Sequence, residues 1–330
     1  MTPDEDYRAL TGRAALGAVA ARAAIGLTGA DRASFLQGLL TNDIRALAPG
    51  TGCYAAWLTP QGRMLMDLHV LNVGDRMVLD VPAELMAPTL QRLDQSLFSE
   101  DVQFEDLSAA LTPVWIHGPS AAHALEQAIG VAGLASWAGY QNAYFQFDRS
   151  QVLVTRISQL GVPGFCAYAD SSQAAALAAA LESAGAVSAG REAIDAARVE
   201  SGYPVFGVDM TEDTIPLEAG IEDRALSFTK GCYVGQEVIV RVLHRGHGRV
   251  ARRLVGLRAA QDGAAAGARI VTAGRDVGWV TSAARSPRAG PIAMGYVQRD
   301  FAAAGTQVEI QTPAAPTGAV VSDFPIAPAA

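Results

Sequence analysis

"TGCYAAWLTPQGRMLMDLHVLNVGDRMVLDV", Thr51 to Val81, decides the fold class. It reads as a three-stranded meander. Thr59-Pro60-Gln61-Gly62 has proline second and glycine fourth, as a type I turn prefers. A direct connection there sets Tyr54 opposite Asp67. Period-two alternation then gathers Tyr54, Ala56, Leu65, Asp67 and His69 on one face, with Met64, Met66, Leu68 and Val70 on the other. Both faces are apolar, so Asp67 is expected to point into a cleft or interface, where a buried carboxylate needs a partner.

Outward from the meander, "AAIGLTGADRASFLQGLLTNDI" reads as strand, turn and helix, with Asp31 as helix cap. "PAELMAPTLQRLDQSLF" is an amphipathic helix and "VQFEDLS" a strand. "LTPVWIHGPSAAHALEQAIG" repeats the strand, glycine turn and helix. "NAYFQFDRSQVLVTRIS" is strand-rich, and "SSQAAALAAALESAG" and "GREAIDAARVESG" are helical. From about Ala251 the chain becomes short strands with Gly/Pro turns, a small all-β module, and "FPIAPAA" reads as a loose tail. Strands and helices mix without βαβ alternation, so the expected class is α+β, divided into residues 1–248 and 249–330. No GxGxxG follows a strand and no Walker loop is present, which removes support for dinucleotide and P-loop chemistry.

A chain of 330 residues, half of them hydrophobic, can bury two or three domain cores. Its net charge of −8 argues against a general nucleic-acid coat. Cys53, Cys166 and Cys232 lie far apart, so neither a disulfide framework nor a protein-supplied metal site is expected, and the pattern suits a reducing cytoplasm. The acidic start "MTPDEDYRAL" is unlike a secretory signal, and the Ala/Gly run after it, broken by Arg22, is too short and weakly apolar to span a bilayer.

The segment "TKGCYVGQE", Thr229 to Glu237, holds the only lysine among 25 basic residues. Lysine supplies a compact point donor where arginine supplies a rigid fork. A helix beginning near Val234 would present Val234, Val238, Ile239, Val242 and Leu243 on its apolar side. Cys232 would then sit before the helix start and beside Lys230, two features that lower a thiol pKa. Glu200 falls in the last turn before Gly202, where its charge opposes the helix dipole, and is expected to be a bidentate acceptor for a ligand with adjacent N–H donors. Arg241, Arg245, Arg249, Arg252 and Arg253 with His244 and His247 form a local cluster suited to an anionic tail or RNA phosphates.

Together these residues resemble the folate-binding superfamily of the glycine-cleavage T-protein. "KGCYVGQE" is similar to the signature of its YgfZ-type branch; "GADRASFLQGLLTNDI", "PQGRMLMDLHVL", "RVESGYPVFGVDMTEDTIPLEAGI" and the β module follow the wider superfamily. The resemblance implies a folate-binding region of two α+β subdomains plus a C-terminal β-barrel around a central opening. It implies tetrahydrofolate as cofactor, with Asp67 beside the pterin and Glu200 on its edge. The T-protein usually carries two adjacent acids where this chain has Met66-Asp67. Asn42, Tyr54 and Asp209 also match. Carried over residue by residue, the cysteine motif comprises Lys230, Gly231, Cys232, Tyr233, Gly235, Gln236 and Glu237, with Arg241 and Arg245 beyond it for the folate tail. For the YgfZ-type branch the expected role is accessory: support of iron–sulfur cluster assembly or repair, through client proteins that include tRNA-modifying enzymes, with Lys230 and Cys232 as reactive pair. The other expectation is a tetrahydrofolate-dependent aminomethyltransferase.

Overall fold

The computed structural model describes residues 2–244 and 248–326. The meander forms as read: Thr51–Leu58, Met64–Asn72 and Met77–Pro82 pair antiparallel, and Arg22–Thr28 and Gln103–Asp106 extend the sheet to five strands. Gly62 N–H bonds the Thr59 carbonyl at 2.8 Å, closing the turn. The register differs from the direct pairing. Tyr54 lies opposite His69 and Ala56 opposite Asp67, with an irregularity after Trp57. The loop Thr59–Arg63 is longer than a two-residue connection, so the strands slide by two. An even slip keeps Tyr54, Ala56, Asp67 and His69 on one face. Leu65, past the bulge, packs instead with the opposite cluster around Trp57, Met66 and Leu68.

Helices Arg32–Leu39 and Met86–Ser96 cover that opposite face. Asp31 occupies the cap position without a side-chain cap bond; its carboxylate accepts from Asp101 N–H instead. A second sheet of six strands runs Val187–Ser188, Ala15–Leu16, Leu111–His117, Gly164–Asp170, Ser150–Arg156, Asn142–Phe147, backed by helices Ala121–Ile129 and Ala174–Ser183. The two sheets meet through Ala24, Leu71, Val78, Trp115, Leu153, Cys166 and Tyr168. Six strands from Arg252–Ala259 to Thr317–Ser322 close a barrel filled by Val255, Leu257, Ile270, Val280 and Val297.

The barrel is fastened to helix Arg191–Ser201 by a buried network. Arg198 reaches Asp209 and the Ser282 hydroxyl, while Thr281 and Ser282 both donate to Asp209 at 2.6 Å. Asp209, matched to the superfamily pattern from sequence, therefore works as a staple. The tail is not loose as far as it is described: Phe324 packs on Gly202, and Ile326 is buried and donates to the Glu200 carbonyl. Among the described residues no helix is long and apolar enough to cross a membrane.

Candidate functional site

Asp67 is 3% exposed and its carboxylate is shared between two donors. The Tyr54 hydroxyl donates to Oδ2 at 2.9 Å, and Arg22 Nη1 to Oδ1 at 3.0 Å. Arg22 also binds the Asp80 side chain and, at 2.6 Å, its carbonyl; the Tyr168 hydroxyl from the second sheet completes Asp80. Burial works against the Arg22 charge, but Asp80 and Asp67 outweigh it and hold the guanidinium above its ordinary pKa. A hydrogen-bonded triad of one arginine and two aspartates avoids the cost of an unpaired buried charge. Burial, with Asp67 beside it, keeps the Tyr54 phenol far above the usual range, so it acts as a donor.

His69 lies behind Tyr54, its ring 5.3 Å from that of Tyr54 and 5.6 Å from that of Tyr140. Burial, helped by Arg22 and Arg224, depresses it to about 3, so the imidazole is neutral. Among the described residues neither ring nitrogen has a hydrogen-bond partner.

Asp67 and Arg22 line a cavity of about 20 Å³ with Val19, Glu84, Gln159, Tyr203 and Phe206. That volume holds about one water molecule. Gln159 and Tyr203, joined at 3.3 Å, also line a second cavity of about 310 Å³ with Ser158, Arg224 and Leu254 on their far side. The two cavities share Gln159 and Tyr203 in their walls. Only the larger has the volume of a ligand pocket.

Other predicted residues lie elsewhere. Glu200 does end its helix before Gly202, but it accepts from the Tyr7 hydroxyl at 2.7 Å and Ser286 Oγ at 2.6 Å, with Arg288 at 3.5 Å. It lines a different cleft from the Asp67 cavity, so Asp67 and Glu200 are not brought together, and its Oε2 is taken by the two hydroxyls. Asn42 braces rather than binds: its amide donates to the Tyr54 carbonyl at 2.8 Å and the Arg224 carbonyl at 3.1 Å.

The Lys230 ammonium donates to the carbonyls of Gln37, Leu40 and Asn42 at 2.7, 2.5 and 2.9 Å. These belong to the end of helix Arg32–Leu39 and the corner after it, where backbone carbonyls lack helical partners and the dipole is negative. Three converging acceptors suit a tetrahedral ammonium and not a planar fork, which explains the single lysine. Burial lowers it to about 8, and Asp43 and Cys53 pull it partly back. Pairing of Lys230 with Cys232 is thus corrected: the ammonium is committed to carbonyls, and Cys232 is an exposed free thiol outside both central cavities.

The remaining motif residues serve the same clamp. Tyr233 is buried beneath the ammonium, 5.0 Å from it, and Val234 N–H bonds the Gly38 carbonyl at 3.1 Å. Gly235 has φ +84, and a Cβ there would meet the Thr59 carbonyl at 2.5 Å, so the segment lies directly on the hairpin turn. The helix begins at Gln236 rather than Val234, which is exposed, while Ile239 is buried and Val242 and Leu243 pack beside it. Gln236 is half-buried; Glu237 and Arg241 are exposed. Gln236, Glu237 and Arg241 do not line the Asp67 cavity or its larger neighbour. Arg252 is engaged with Glu218, Trp279 and Tyr296, which breaks up the expected basic cluster. Arg245 and His247 lie outside the described residues.

Sequence reading missed Arg22, Asp80 and Arg224. Asp80 carries the same signal as Asp67, an acid inside an apolar strand, and was detectable on that basis. Arg22 had no local signal, because only the sheet order brings it inward; Arg224, an exposed residue, had none because only the turn after Gly220 sets it against Tyr54 and Tyr203.

The architecture is a closed β-barrel joined to two α+β layers, with a buried carboxylate between the layers. The model of the GCVT N-terminal domain matches residues 3–230, and that of the glycine cleavage T-protein C-terminal barrel domain matches residues 252–326. The chain belongs to the glycine-cleavage T-protein family. It is 30% identical over 297 residues to an aminomethyltransferase of Nostoc, covering 86% of this chain and 77% of that protein. Against an aminomethyltransferase of Bacillus subtilis it is 27% identical over 316 residues, covering 93% and 86%. The glycine cleavage system aminomethyltransferase T from Bartonella henselae superposes with a TM-score of 0.88 at 26% identity, over 98% of this chain and 89% of that one. These findings overturn the expected accessory role in iron–sulfur cluster maintenance: the relatives are named aminomethyltransferases, and the cysteine said to carry that role stands outside the central cavities.

Proposed function

We propose that this chain is a tetrahydrofolate-dependent aminomethyltransferase, transferring a one-carbon unit to the reduced folate. The observation that carries the reading is Asp67, fixed by Tyr54 and Arg22 at the cavity between the two sheets, in a chain similar throughout its length to aminomethyltransferases. Tetrahydrofolate supplies the nitrogens that accept the carbon. The donor set suits such a molecule: a carboxylate and a glutamine amide for ring N–H groups, tyrosines for stacking, and arginines for carboxylates. The 20 Å³ space at Asp67 does not admit a pteridine as it stands, so Gln159 and Tyr203 have to separate for the two compartments to join.

Asp67 then contributes in two ways. Its fixed negative charge stabilises positive charge that develops at the transferred carbon, and its free lone pairs can take a proton from the amine. Tyr54 and Arg22 set its orientation before the substrate arrives, so little reorganisation is needed at the transition state. The second acid of the usual pair is replaced by Met66, which packs into the opposite core. Within this reading the resemblance to the YgfZ-type branch describes the clamp segment Lys230–Glu237, whose work is to hold the hairpin bearing Asp67. The test is formation of 5,10-methylenetetrahydrofolate and ammonia from an aminomethyl-lipoyl carrier and tetrahydrofolate. Product with stoichiometric ammonia supports the reading; no product at saturating folate overturns it.

A further inference from the structure

Arg224 is an exposed residue whose guanidinium is nevertheless held against two aromatic rings. Its guanidinium carbon lies 5.3 Å from the Tyr54 ring centroid and 4.7 Å from that of Tyr203. Its backbone carbonyl is tied to Asn42, whose amide also holds the Tyr54 carbonyl, so ring and cation are fixed to one brace. Among the described residues no carboxylate forms an ion pair with it, and its N–H groups donate to no acceptor. It borders the 310 Å³ cavity, beside Ser158, Ser201 and Gln159. Gln159 is 5% exposed, and among the described residues its Oε1 has no hydrogen-bond partner. A guanidinium that stacks on aromatic rings keeps its N–H edge available, and that edge matches a carboxylate in bidentate fashion.

We infer that Arg224, seated on Tyr54 and Tyr203, is the receptor for a substrate carboxylate in the 310 Å³ cavity, where Gln159 Oε1 is left to accept an N–H or O–H from another part of the same ligand. The inference rests on the proposed one-carbon transfer for its biological meaning but not for its test. Tyr54 links the two groups: its hydroxyl orients Asp67 and its ring carries the anion receptor. A ligand held at Arg224 is thereby indexed to Asp67 through one rigid side chain. Tyr203 lines both cavities, so an anion drawn to Arg224 engages a residue that also borders the Asp67 cavity. The carboxylate has two possible sources, the glutamate tail of a reduced folate or a separate small substrate, and the chemistry of recognition is the same for both.

Isothermal titration with benzoate, a flat monocarboxylate, tests the receptor without folate. Wild-type protein is expected to bind it saturably, Arg224→Gln to bind at least tenfold more weakly, and Arg285→Gln, on the barrel surface and paired with Asp262, to bind as wild type. Arg224→Lys keeps the charge and loses the fork, so it should fall between. Benzoate binding that is absent in wild type, or unchanged in Arg224→Gln with unaltered Tm, overturns the inference. Tetrahydrofolate and tetrahydropteroate, which lacks the glutamate, then separate the sources. A preference for tetrahydrofolate erased by Arg224→Gln supports the receptor and places the tail there. Equal binding of both in wild type and variant, with benzoate binding lost in the variant, supports the receptor for a separate carboxylate. Binding of neither folate removes the proposed function and leaves the receptor decided by benzoate.

Discussion

Asp67 and Lys230 are both lone charged residues set among apolar neighbours, and both drew the eye in the sequence. Their surroundings differ in one respect that settles what each can do. All three ammonium protons of Lys230 point at backbone carbonyls within 2.9 Å, so nothing is left over for a ligand. Asp67 accepts one bond on each oxygen and still borders a cavity, so it keeps lone pairs for a substrate. A charge whose bonding capacity is exhausted by the chain is a structural fastener. One with capacity remaining at a cavity wall is a candidate for chemistry.

The sharpest way to break this contrast is to remove each charge. Asp67→Asn should lower transfer turnover by about 100-fold to 1,000-fold, the scale of a lost electrostatic or general-base contribution, with only a small change in Tm because Arg22 keeps Asp80. Lys230→Met should do the reverse. Three carbonyls lose a charged donor, and stability should fall by about 3 kcal/mol in urea unfolding, while turnover per folded molecule stays near wild type. Exchanged outcomes would refute the division of labour.

Gly235→Ala sharpens the clamp side. A side chain there collides with the Thr59 carbonyl in a left-handed backbone, and a loss of about 2 kcal/mol is expected. Cys232→Ser sits three residues away, yet its exposed thiol holds nothing in place, so its unfolding midpoint should match wild type within about 0.5 kcal/mol.

A pH series separates the interior from the surface in another way. His69 and His117 are buried and neutral, depressed to about 3 and about 4, chiefly by burial. The unfolded chain takes up protons on both near pH 6.5 while the folded chain does not. Their contribution is therefore complete above about pH 6.5 and is lost as pH falls toward 4, by about 1.4 kcal/mol per pH unit for each histidine. His69→Phe should halve that part of the slope in urea titrations between pH 6 and 4. An unchanged slope would mean that His69 is not held neutral.

Much of the layout was legible because periodicity reports it. The meander, the helices on its outer face, the switch to an all-β module near residue 251 and the α+β class all follow from local alternation and turn chemistry. The register did not, since the five-residue loop Thr59–Arg63 and the bulge after Trp57 shift the pairing without changing which face Asp67 occupies. Two-residue slips leave no trace in a period-two pattern. Asp67 and Tyr54 were found for the same reason. Lys230 was noticed and misassigned: its neighbour in sequence is Cys232, while its partners are Gln37, Leu40 and Asn42, some 190 positions away. Glu200 was placed correctly on its helix, but the Tyr7 and Ser286 hydroxyls that occupy it come from opposite ends of the chain. Long-range partners decide whether a polar residue is free, and they are what a local pattern omits.

The central claim, that Asp67 serves one-carbon transfer to a reduced folate, is tested most directly by single-turnover formation of 5,10-methylenetetrahydrofolate by wild type and Asp67→Asn at saturating tetrahydrofolate and aminomethyl-lipoyl carrier. The account predicts product from wild type and a rate at least 100-fold lower in the variant, with both proteins equally folded. Equal rates in the two proteins, or no product from either, would contradict it.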